Sequence, residues 1–442
     1  MPDHATSADP AVQFQLDRLM ALGPGADVLG LDRITRLLAR LGDPQLRLPP
    51  VIHVAGTNGK GSTCAFLRAA LEAAGKTAHV YTSPHLVRFN ERIRVAGRLI
   101  GDAELAALLA EVLDAGADIG ASFFEVTTAV AFLAFARTPA DACIVEVGLG
   151  GRLDATNVIP APAATAIAQL GIDHQAFLGD TAEAIAREKA GIAKPGVPLV
   201  TMAYPPSVAD AVAAVAAASN APVHARGNDW SFEVEGDRLC YRDVRGTVET
   251  PLPALAGPHQ PANLALAIAT LRHQSRIAVP AAAFAAAATQ ARWPARMQQL
   301  GDGPLHALLP AGAELWLDGG HNPAAADAVA DTIERVAHGR GVHLVLGMLS
   351  NKDAEGLLAP FAPLSASMTA VPVPGHACHP TAELVEVAHR LGITDTASAN
   401  DVPTALRMLA ARVASDAPPL VLVLGSLYLA GTVLEANDEL PD

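Results

Sequence analysis

The sequence is poor in cysteine, aromatic residues and basic charge, and it has no long apolar run. Its four cysteines are scattered, and none forms a pair with zinc-site spacing. Cys64 and Cys143 lie within apolar stretches, which predicts buried thiols in a reducing compartment. No stretch of about 18 consecutive apolar residues occurs, so a transmembrane helix is not expected. Residues 1–10 lack the features of a signal peptide, and we therefore expect a cytoplasmic protein.

Positive charge is scarce in this chain. The 31 lysines and arginines stand against 45 acidic residues, which gives a formal net charge of −14. Such a chain has no overall basic field with which to bind nucleic-acid phosphates or an anionic membrane. The charge therefore predicts no nucleic-acid partner and no membrane partner. An anionic substrate has to be held by local Arg or Lys side chains, by helix N-termini or by a metal.

Length and hydrophobic pattern predict two α/β domains. The chain has 442 residues, of which 51% are hydrophobic, and this exceeds what one ordinary domain holds. Short apolar runs alternate with amphipathic, Ala-rich segments, a pattern typical of a parallel, doubly wound sheet. The strands predicted in the first part are 51–55, 78–81, 143–147, 165–168 and 198–202, with helices at 62–74, 126–136 and 181–190.

The pattern changes near residue 230. Residues 230–241 alternate with period two around Gly236-Asp237, which predicts an antiparallel hairpin, and a helix is predicted over 261–273. A second αβ series follows, with strands at 315–318, 342–346, 368–373 and 420–424. We predict a P-loop-type, doubly wound, mostly parallel sheet domain with a small antiparallel β addition over residues 1–298. A smaller Rossmann-like α/β domain is predicted over residues 299–442.

A glycine-rich loop follows the first predicted strand. Glycines let the backbone approach phosphate oxygens closely, and the helix N-terminus behind them favours negative charge. Lys60 adds a point charge, and the Ser62 hydroxyl is placed to contact a phosphate-bound Mg²⁺. The spacing differs from the usual G-x-x-x-x-G-K-[ST], and a simple turn before a helix is the alternative. We interpret the loop as a nucleotide site formed by Gly56, Thr57, Asn58, Gly59, Lys60, Gly61 and Ser62.

Glu146 ends a strongly apolar predicted strand and precedes three glycines. A carboxylate at the carboxyl end of a parallel strand faces the ligand crevice, and Mg²⁺ prefers oxygen ligands. An ordinary surface carboxylate is the alternative. The His376–Cys378–His379 loop invites a zinc interpretation, but three ligands in one short loop favour an ordinary loop.

Further motifs extend over nearly the whole chain in a fixed order. Together with the glycine-rich loop they resemble the folylpolyglutamate synthase/dihydrofolate synthase family of the Mur-ligase superfamily, of the bacterial bifunctional type. These motifs are Ser-Pro-His-Leu (83–86), Glu-Val-Gly-Leu-Gly-Gly-Arg-Leu-Asp-Ala-Thr-Asn (146–157), Asp-His (173–174), Arg-Glu-Lys-Ala-Gly-Ile (187–192), Gly-Pro-His-Gln-x-x-Asn (257–263), Leu-Asp-Gly-Gly-His-Asn-Pro (317–323) and Gly-Met-Leu-x-Asn-Lys-Asp (347–353).

The resemblance implies a set of site residues. It implies ATP and two Mg²⁺ ions as cofactors, with Lys189 carbamylated by CO₂. Metal ligands would be Ser62, Ser83, Glu146, His174 and Lys189, and catalytic residues would be Lys60, Lys189, His174 and Arg296. Asn263, Arg296, Asp318 and His321 would contact ATP, although Arg296 lies in Pro-Ala-Arg rather than the commoner Pro-Gly-Arg. Substrate would be bound by Leu31, Asp32, Arg33, Ser83, His85, Phe124, Arg152 and Asp154.

The reaction implied by the resemblance is a two-step ligation. ATP phosphorylates a carboxylate of dihydropteroate or of a reduced folate, and the amino group of L-glutamate then attacks the acyl phosphate. A folylpolyglutamate synthase alone and a Mur-type peptidoglycan ligase are the nearest alternatives. An NTPase that drives motion and a catalytically silent nucleotide-binding module are more distant ones. A monomer is expected, because no coiled-coil pattern occurs.

Overall fold

The computed structural model describes residues 5–22, 29–413 and 418–442. The chain divides into two compact units, the first formed by Met1–Ala254, Gln260–Arg292 and Asp442, the second by Leu255–His259 and Trp293–Pro441. The sequence predicts the division after residue 298, whereas the structure has it after Arg292. The difference arises because Met297 packs in the core of the second unit and because residues 298–299 pair with a strand of that unit.

The main sheet of the first unit is mostly parallel. Its order is β4-β3-β2-β5-β1-β6-β7-β8, and only β3 and β4, at one edge, run antiparallel to their neighbours. The central strands form because short, wholly buried apolar runs suit a sheet covered on both faces. The strands are β1 Val51–Ala55, β2 Ala78–Tyr81, β3 Ile93–Val95, β4 Arg98–Leu99, β5 Ala142–Glu146, β6 Ala164–Ile167, β7 Leu199–Thr201 and β8 Val223–Ala225.

Helices cover this sheet and bury most of its apolar surface. One core cluster packs α1, α2, α4 and α5 together, and another lies around α7 and α8. The helices of the first unit are α1 Pro10–Ala21, α2 Asp32–Arg40, α3 Lys60–Ala73, α4 Asp102–Ala115, α5 Phe123–Arg137, α6 Gln175–Leu178, α7 Ala182–Ala190, α8 Pro206–Ala218, α9 Gln260–Arg272 and α10 Ala281–Gln290.

The predicted antiparallel addition is present and has a third strand. β9 Trp230–Glu235 and β10 Arg238–Asp243 form the expected hairpin, and β11 Gly246–Pro251 pairs with the other side of β10. The sequence interpretation ended at the hairpin because β11 is largely polar. The small sheet therefore has the order β11-β10-β9.

The second unit is a smaller α/β domain. Its sheet has the order β12-β13-β17-β14-β15-β16, parallel except for β12. The predicted fold class is confirmed in both units. The elements are β12 Gln298–Gln299, β13 Glu314–Leu317, β14 Val342–Leu346, β15 Ser365–Ala370, β16 Thr396–Ser398 and β17 Leu420–Leu424, with α11 Pro323–Ala337, α12 Ala354–Leu358, α13 Thr381–Arg390, α14 Val402–Ala410 and α15 Leu427–Ala436.

Two sequence expectations concern burial and membranes. Cys64 and Cys143 are buried, as predicted, and burial raises the pKa of both thiols. Within the described ranges, every helix is too short or too polar to cross a bilayer.

Candidate active site

The loops predicted to carry the active site follow four neighbouring parallel strands of the first unit. The strands β2, β5, β1 and β6 are adjacent, so their carboxyl ends meet at one edge of the sheet. Ser83 follows β2, Glu146 ends β5, the glycine-rich loop follows β1, and His174 lies beyond β6. The sheet topology thus gathers loops that are far apart in the sequence.

The glycine-rich loop rests on helix α9. Gly56 and Gly59 have φ angles of 150° and 83°, which favour glycine. A Cβ atom on Gly59 would lie 2.5 Å from Oδ1 of Asn263. Asn263 donates to Oε1 of Gln260 at 3.1 Å, and Gln260 donates to the Ser62 hydroxyl at 3.4 Å. Asn263, predicted to contact ATP, therefore packs against Gly59 and supports the loop. Gln260, which the sequence analysis left without a role, links that support to Ser62.

A second contact holds the loop against the segment after β6. The backbone N–H of Thr57 donates to the carbonyl of Gln169 at 2.9 Å, and the N–H of Asn58 donates to the same carbonyl at 3.2 Å. The Thr57 hydroxyl donates to the Gly171 carbonyl at 3.0 Å and accepts from the Gly171 N–H at 3.1 Å. The glycine-rich loop and the segment leading to His174 are thus joined by four hydrogen bonds.

Two lysines converge on one carbonyl of this loop. Nζ of Lys60 donates to the carbonyls of Gly56 and Thr57 at 3.1 and 3.3 Å. Nζ of Lys189, on α7, donates to the same Gly56 carbonyl at 3.0 Å, and Lys189 is only 4% exposed. Burial, together with the nearby charge of Lys60, lowers the pKa of Lys189 to about 7. The structure therefore places next to the loop a buried amine that readily becomes neutral.

Close packing between two glycine-containing segments, one with Gly151 and the other with Gly191, brings Lys189 to this position. A Cβ atom on Gly151 would lie 2.8 Å from the carbonyl oxygens of Glu188 and Lys189. A Cβ atom on Gly191 would lie 2.3 Å from Cβ of Arg152. The N–H of Arg152 also donates to the Glu188 carbonyl at 2.8 Å. The motifs around residues 151 and 191 therefore belong to a single packing contact.

The predicted metal ligands include one adjacent pair of oxygen-bearing residues. Glu146 is 4% exposed, and the N–H of Ser83 donates to its Oε2 at 3.3 Å. His174 begins α6 in a left-handed conformation, with φ of 53°, and its side chain is 44% exposed. No three His, Cys, Asp or Glu side chains cluster in metal-binding geometry in the described part of the chain. A cation here would depend on Ser83, Glu146 and substrate oxygens as much as on His174.

The residues predicted to bind substrate fall into separate groups. Arg152 is half exposed, and its Nε and Nη2 donate to Oε1 of Glu188 at 3.0 and 2.9 Å. Asp154 is buried, and its carboxylate accepts hydrogen bonds from the N–H of Leu149 at 2.9 Å and from Thr156. Burial raises the pKa of Asp154, and these donors oppose that effect. The Asp154 carboxylate therefore organises its own loop.

A second group lies around the start of α5. Nε of Arg33 donates to Oε2 of Glu125 at 2.9 Å, and Phe124 packs on Gly148, whose Cβ would lie 2.4 Å from the ring. His85 is buried, and its Nδ1 accepts from Nε of Arg92 at 2.8 Å. Leu31 and Asp32 lie at the start of α2, where Asp32 is exposed.

The sequence analysis did not indicate that Glu125 pairs with Arg33, and it missed Arg92. Glu125 forms a capping box with Ser122, and the Ser-x-x-Glu spacing was the available signal. No local signal distinguishes Arg92, because its burial depends on tertiary packing against the rings of Phe89 and Phe123.

In the second unit, Asp318 organises the predicted nucleotide-binding residues. It is 4% exposed, and its carboxylate accepts from the N–H groups of Met297 and Gly320 at 2.7 and 2.6 Å. Burial raises the pKa of Asp318, while the positive charge of Arg296 and the two donors act in the opposite direction. His321 contacts the same loop, with Nδ1 2.9 Å from the Gly319 carbonyl oxygen.

Arg296 lies between two residues with left-handed backbone conformations. Ala295 and Met297 have φ angles of 54° and 42°, although neither is glycine. The Ala295 carbonyl accepts from the N–H of Gly319 at 2.9 Å, and Asp318 holds the N–H of Met297. These hydrogen bonds hold the Pro-Ala-Arg form in a conformation that glycine would adopt at lower cost.

The histidine loop, His376–Cys378–His379, contacts other residues of the same unit. His379 lies 3.2 Å from the Glu383 carboxylate through Nδ1 and 2.9 Å from the Lys352 carbonyl through Nε2. The ring of His376 stacks on Tyr428 with centroids 3.8 Å apart. Both contacts hold the loop against its own unit.

The fold and the glycine-rich loop together define a phosphate-binding α/β protein of two units. Comparison with known proteins makes the assignment specific. A family model for the C-terminal domain of dihydrofolate synthetase matches residues 306–436. The dihydrofolate synthase/folylpolyglutamate synthase of Escherichia coli K12 is 35% identical, over 93% of this chain and 92% of that protein.

Solved structures agree with these matches. Escherichia coli FolC in complex with DHPP and ADP has a TM-score of 0.86 at 33% identity, covering 98% of each chain. A bifunctional folylpolyglutamate synthase/dihydrofolate synthase with Mn, AMPPNP and L-glutamate bound has a TM-score of 0.83 at 32% identity, covering 98% of this chain and 99% of that one. This chain therefore belongs to the dihydrofolate synthase/folylpolyglutamate synthase family, as its motifs predict.

Proposed function

We propose that this chain ligates L-glutamate to dihydropteroate and to the glutamate tail of reduced folates, using ATP. Family membership over nearly the full length supports this activity. The observation that carries the proposal is the convergence of Lys60 and Lys189 on the Gly56 carbonyl, at the sheet edge where Glu146 and Ser83 also lie. Because the net charge of the chain is −14, binding an anionic nucleotide and an anionic acceptor requires local positive charge.

ATP phosphates are the proposed ligand of the glycine-rich loop. The N-terminus of α3 and the loop N–H groups favour phosphate oxygens, and Lys60 adds positive charge. Because Lys60 now donates to two carbonyls of its own loop, it has to exchange these for phosphate oxygens. Asn263, Arg296, Asp318 and His321 are proposed to complete the nucleotide site, with Arg296 neutralising charge on the transferred phosphoryl group.

The residues present fit a divalent cation. A buried Glu146 carboxylate next to Ser83, with Ser62 on the neighbouring loop, forms an oxygen-rich set that suits Mg²⁺ or Mn²⁺. Ser62, Ser83, Glu146, His174 and Lys189 are the proposed ligands. When bound, the metal would neutralise phosphate charge. A free Lys189 ammonium would repel that cation, whereas a carbamate would supply oxygens.

We propose that Lys189 is carbamylated in the active protein. Carbamylation requires a neutral amine, and the buried position of Lys189 favours that form. The nearby Lys60 would compensate the new negative charge. Incubation with ¹³C-labelled bicarbonate should give a carbamate signal in ¹³C NMR that Lys189→Met lacks. Equal signals in the two proteins would refute the modification.

In the proposed reaction the protein positions the reactants and forms no covalent bond with them. The acceptor carboxylate attacks the γ-phosphorus of ATP, and ADP leaves with the electrons of the broken P–O bond. The amine of L-glutamate then attacks the acyl phosphate, loses a proton and expels phosphate. Leu31, Asp32, Arg33, Ser83, His85, Phe124, Arg152 and Asp154 are proposed to position the pteridine-bearing substrate. Asp154 would act through the loop it organises.

The deciding experiment measures ATP-dependent phosphate release with Mg²⁺ and L-glutamate. Dihydropteroate and tetrahydrofolate are compared as acceptors, and mass spectrometry checks that each product gains one glutamate. Turnover on both supports the bifunctional ligase. Turnover on tetrahydrofolate alone would reduce the proposal to a folylpolyglutamate synthase. Turnover on neither acceptor would overturn it and favour a Mur-type ligase.

We further propose that the protein acts as a monomer in the cytoplasm, which light scattering and fractionation would test.

A further inference from the structure

Four arginines converge on a cleft outside the proposed active site. The cleft has a volume of about 420 Å³ and is lined by Arg68, Arg88, Arg94 and Arg98 together with the carboxylates of Glu72 and Asp442. This volume lies within the range of small-molecule sites, roughly 300–1,000 Å³. Four guanidinium groups against two carboxylates leave a local excess of positive charge in a chain whose net charge is −14. Like charges do not gather in this way without a cost in repulsion.

One of these guanidinium groups has unused hydrogen-bonding capacity. Nε of Arg68 is buried and has no hydrogen-bond partner in the described part of the protein. The closest carboxylate oxygen of its ion pair, Oε1 of Glu72, is 3.8 Å away, which is beyond hydrogen-bond distance. A buried donor without an acceptor costs free energy, so an incoming oxyanion would relieve that cost.

Arg94 is partly buried and lies near the charge of Arg68. Its Nη1 donates to the Gly97 carbonyl at 3.0 Å, which fixes the side chain over the β3–β4 turn. Burial and the neighbouring charge of Arg68 lower the pKa of Arg94 to about 10, and the carboxylates of Glu72 and Asp442 oppose that shift. Additional negative charge in the cleft would therefore be favourable.

The cleft is separate from the phosphate loop but borders the same elements. Arg68 lies on α3, eight residues after Lys60, which corresponds to about 12 Å along the helix axis. Arg88 lies in the segment that follows Ser83. Arginine holds carboxylates and phosphates through paired N–H groups, and several arginines together suit a ligand with more than one anionic group.

We infer that this arginine cleft is a binding site for a small multivalent oxyanion, distinct from the nucleotide site. Two sources share this chemistry, namely a polyphosphate and a chain of γ-linked glutamates. Two of the lining arginines lie on different elements, Arg68 on helix α3 and Arg98 on strand β4. Each can be changed without touching the proposed reaction residues.

Isothermal titration calorimetry tests the inference with pyrophosphate and tri-γ-glutamate as probes. Because pyrophosphate also suits the phosphate loop, both probes are titrated into Lys60→Ala as well as the unaltered chain. We expect at least one probe to bind in the Lys60→Ala background, with affinity that falls as salt rises. Adding Arg68→Ala or Arg98→Glu should weaken that binding by about tenfold or more. The probe that binds more tightly identifies the source.

The matched control is Arg238→Ala, which removes an exposed arginine from the small antiparallel sheet and should leave the affinity unchanged. Arg98 is exposed, so Arg98→Glu remains decisive if Arg68→Ala fails to fold. Absence of binding by both probes, or equal affinity in the arginine variants, would overturn the inference. The readout is binding rather than turnover, so either result leaves the proposed ligase activity to its own test.

Discussion

Lys189 in the first unit and Asp318 in the second are both buried charged side chains next to a proposed binding loop, yet they are satisfied differently. Both carboxylate oxygens of Asp318 accept a backbone N–H, and Arg296 supplies positive charge nearby. Lys189 has three donors when protonated, and its hydrogen bond within the described residues goes to Gly56. Burial raises the pKa of Asp318, and its two N–H donors and the charge of Arg296 counter that rise, whereas burial and the charge of Lys60 both favour a neutral amine at Lys189. Asp318 is therefore suited to holding structure, and Lys189 to chemistry.

The largest expected effect comes from removing the hydrogen-bonded carboxylate of Asp318. Asp318→Ala leaves the buried N–H groups of Met297 and Gly320 without an acceptor, and it leaves Arg296 without a partner charge. We expect a loss of about 3 kcal/mol or more in the free energy of unfolding of the second unit. Chemical denaturation measures it, with the exposed Asp302→Ala in the same unit as control. A loss as small as that of the control would show that Asp318 is not needed for the structure.

Lys189, by contrast, should make the free energy of unfolding depend on pH. Its pKa is about 7 when folded against an ordinary value of 10.5, so above pH 7 the folded state releases a proton that the unfolded state keeps. Because the unfolded state then binds more protons, stability rises with pH between about 7 and 10.5, by up to about 1.4 kcal/mol per pH unit. Below pH 7 both states are protonated and this gain is absent.

The measurement compares the unaltered chain with Lys189→Met by denaturation from pH 6.5 to 9.5 in CO₂-free buffer. The difference in the free energy of unfolding should grow in favour of the lysine protein as pH rises. Parallel curves for the two proteins would contradict a depressed pKa. Ligase activity of Lys189→Met should be lost at every pH.

A smaller effect is expected from the glycine that positions Lys189. A methyl group at residue 191 would lie 2.3 Å from Cβ and 2.6 Å from Cα of Arg152, so α7 must shift. We expect Gly191→Ala to cost about 2 kcal/mol and to weaken the carbamate signal of Lys189. Gly101→Ala is the control, because no atom lies within 4 Å of its added methyl group. An unchanged carbamate signal would show that this packing does not position Lys189.

The smallest effect concerns the left-handed residue beside Arg296. Ala295→Gly relieves about 1 kcal/mol of backbone strain, but it loses a buried methyl group and makes the unfolded chain more flexible. These terms nearly cancel, so we expect stability to change by less than about 1 kcal/mol. Thermal denaturation checks this expectation. A gain well above that value would mean that the backbone strain at Ala295 is larger than about 1 kcal/mol.

The sequence predicted those parts of the fold that depend on local pattern. The mostly apolar run of β1 and the glycines after it predicted a phosphate loop, and the end of β5 at Glu146 followed from the same reasoning. The short strands β3 and β12 were not predicted, because two or three residues carry no measurable period. Their pairing depends on strands that lie elsewhere in the sequence.

The motifs drew attention to individual residues without indicating what each side chain contacts. The motifs named Asp154 and Asn263, but no local pattern indicates that the first supports its own loop and the second supports Gly59. The buried state of Lys189 was expected only from family resemblance, since most helical lysines are exposed. Its physical cause, the contact between two glycine-containing segments, required the tertiary structure.

The reciprocal hydrogen bonds between Thr57 and Gly171 have a consequence for local opening. Neither the glycine-rich loop nor the segment before His174 can swing out without breaking the same bonds, so the two should open as one cooperative block. Amide hydrogens of Thr57 and Gly171 would then exchange with solvent at closely matched rates. An engineer who loosens one of these loops to admit a different nucleotide will loosen the other as well.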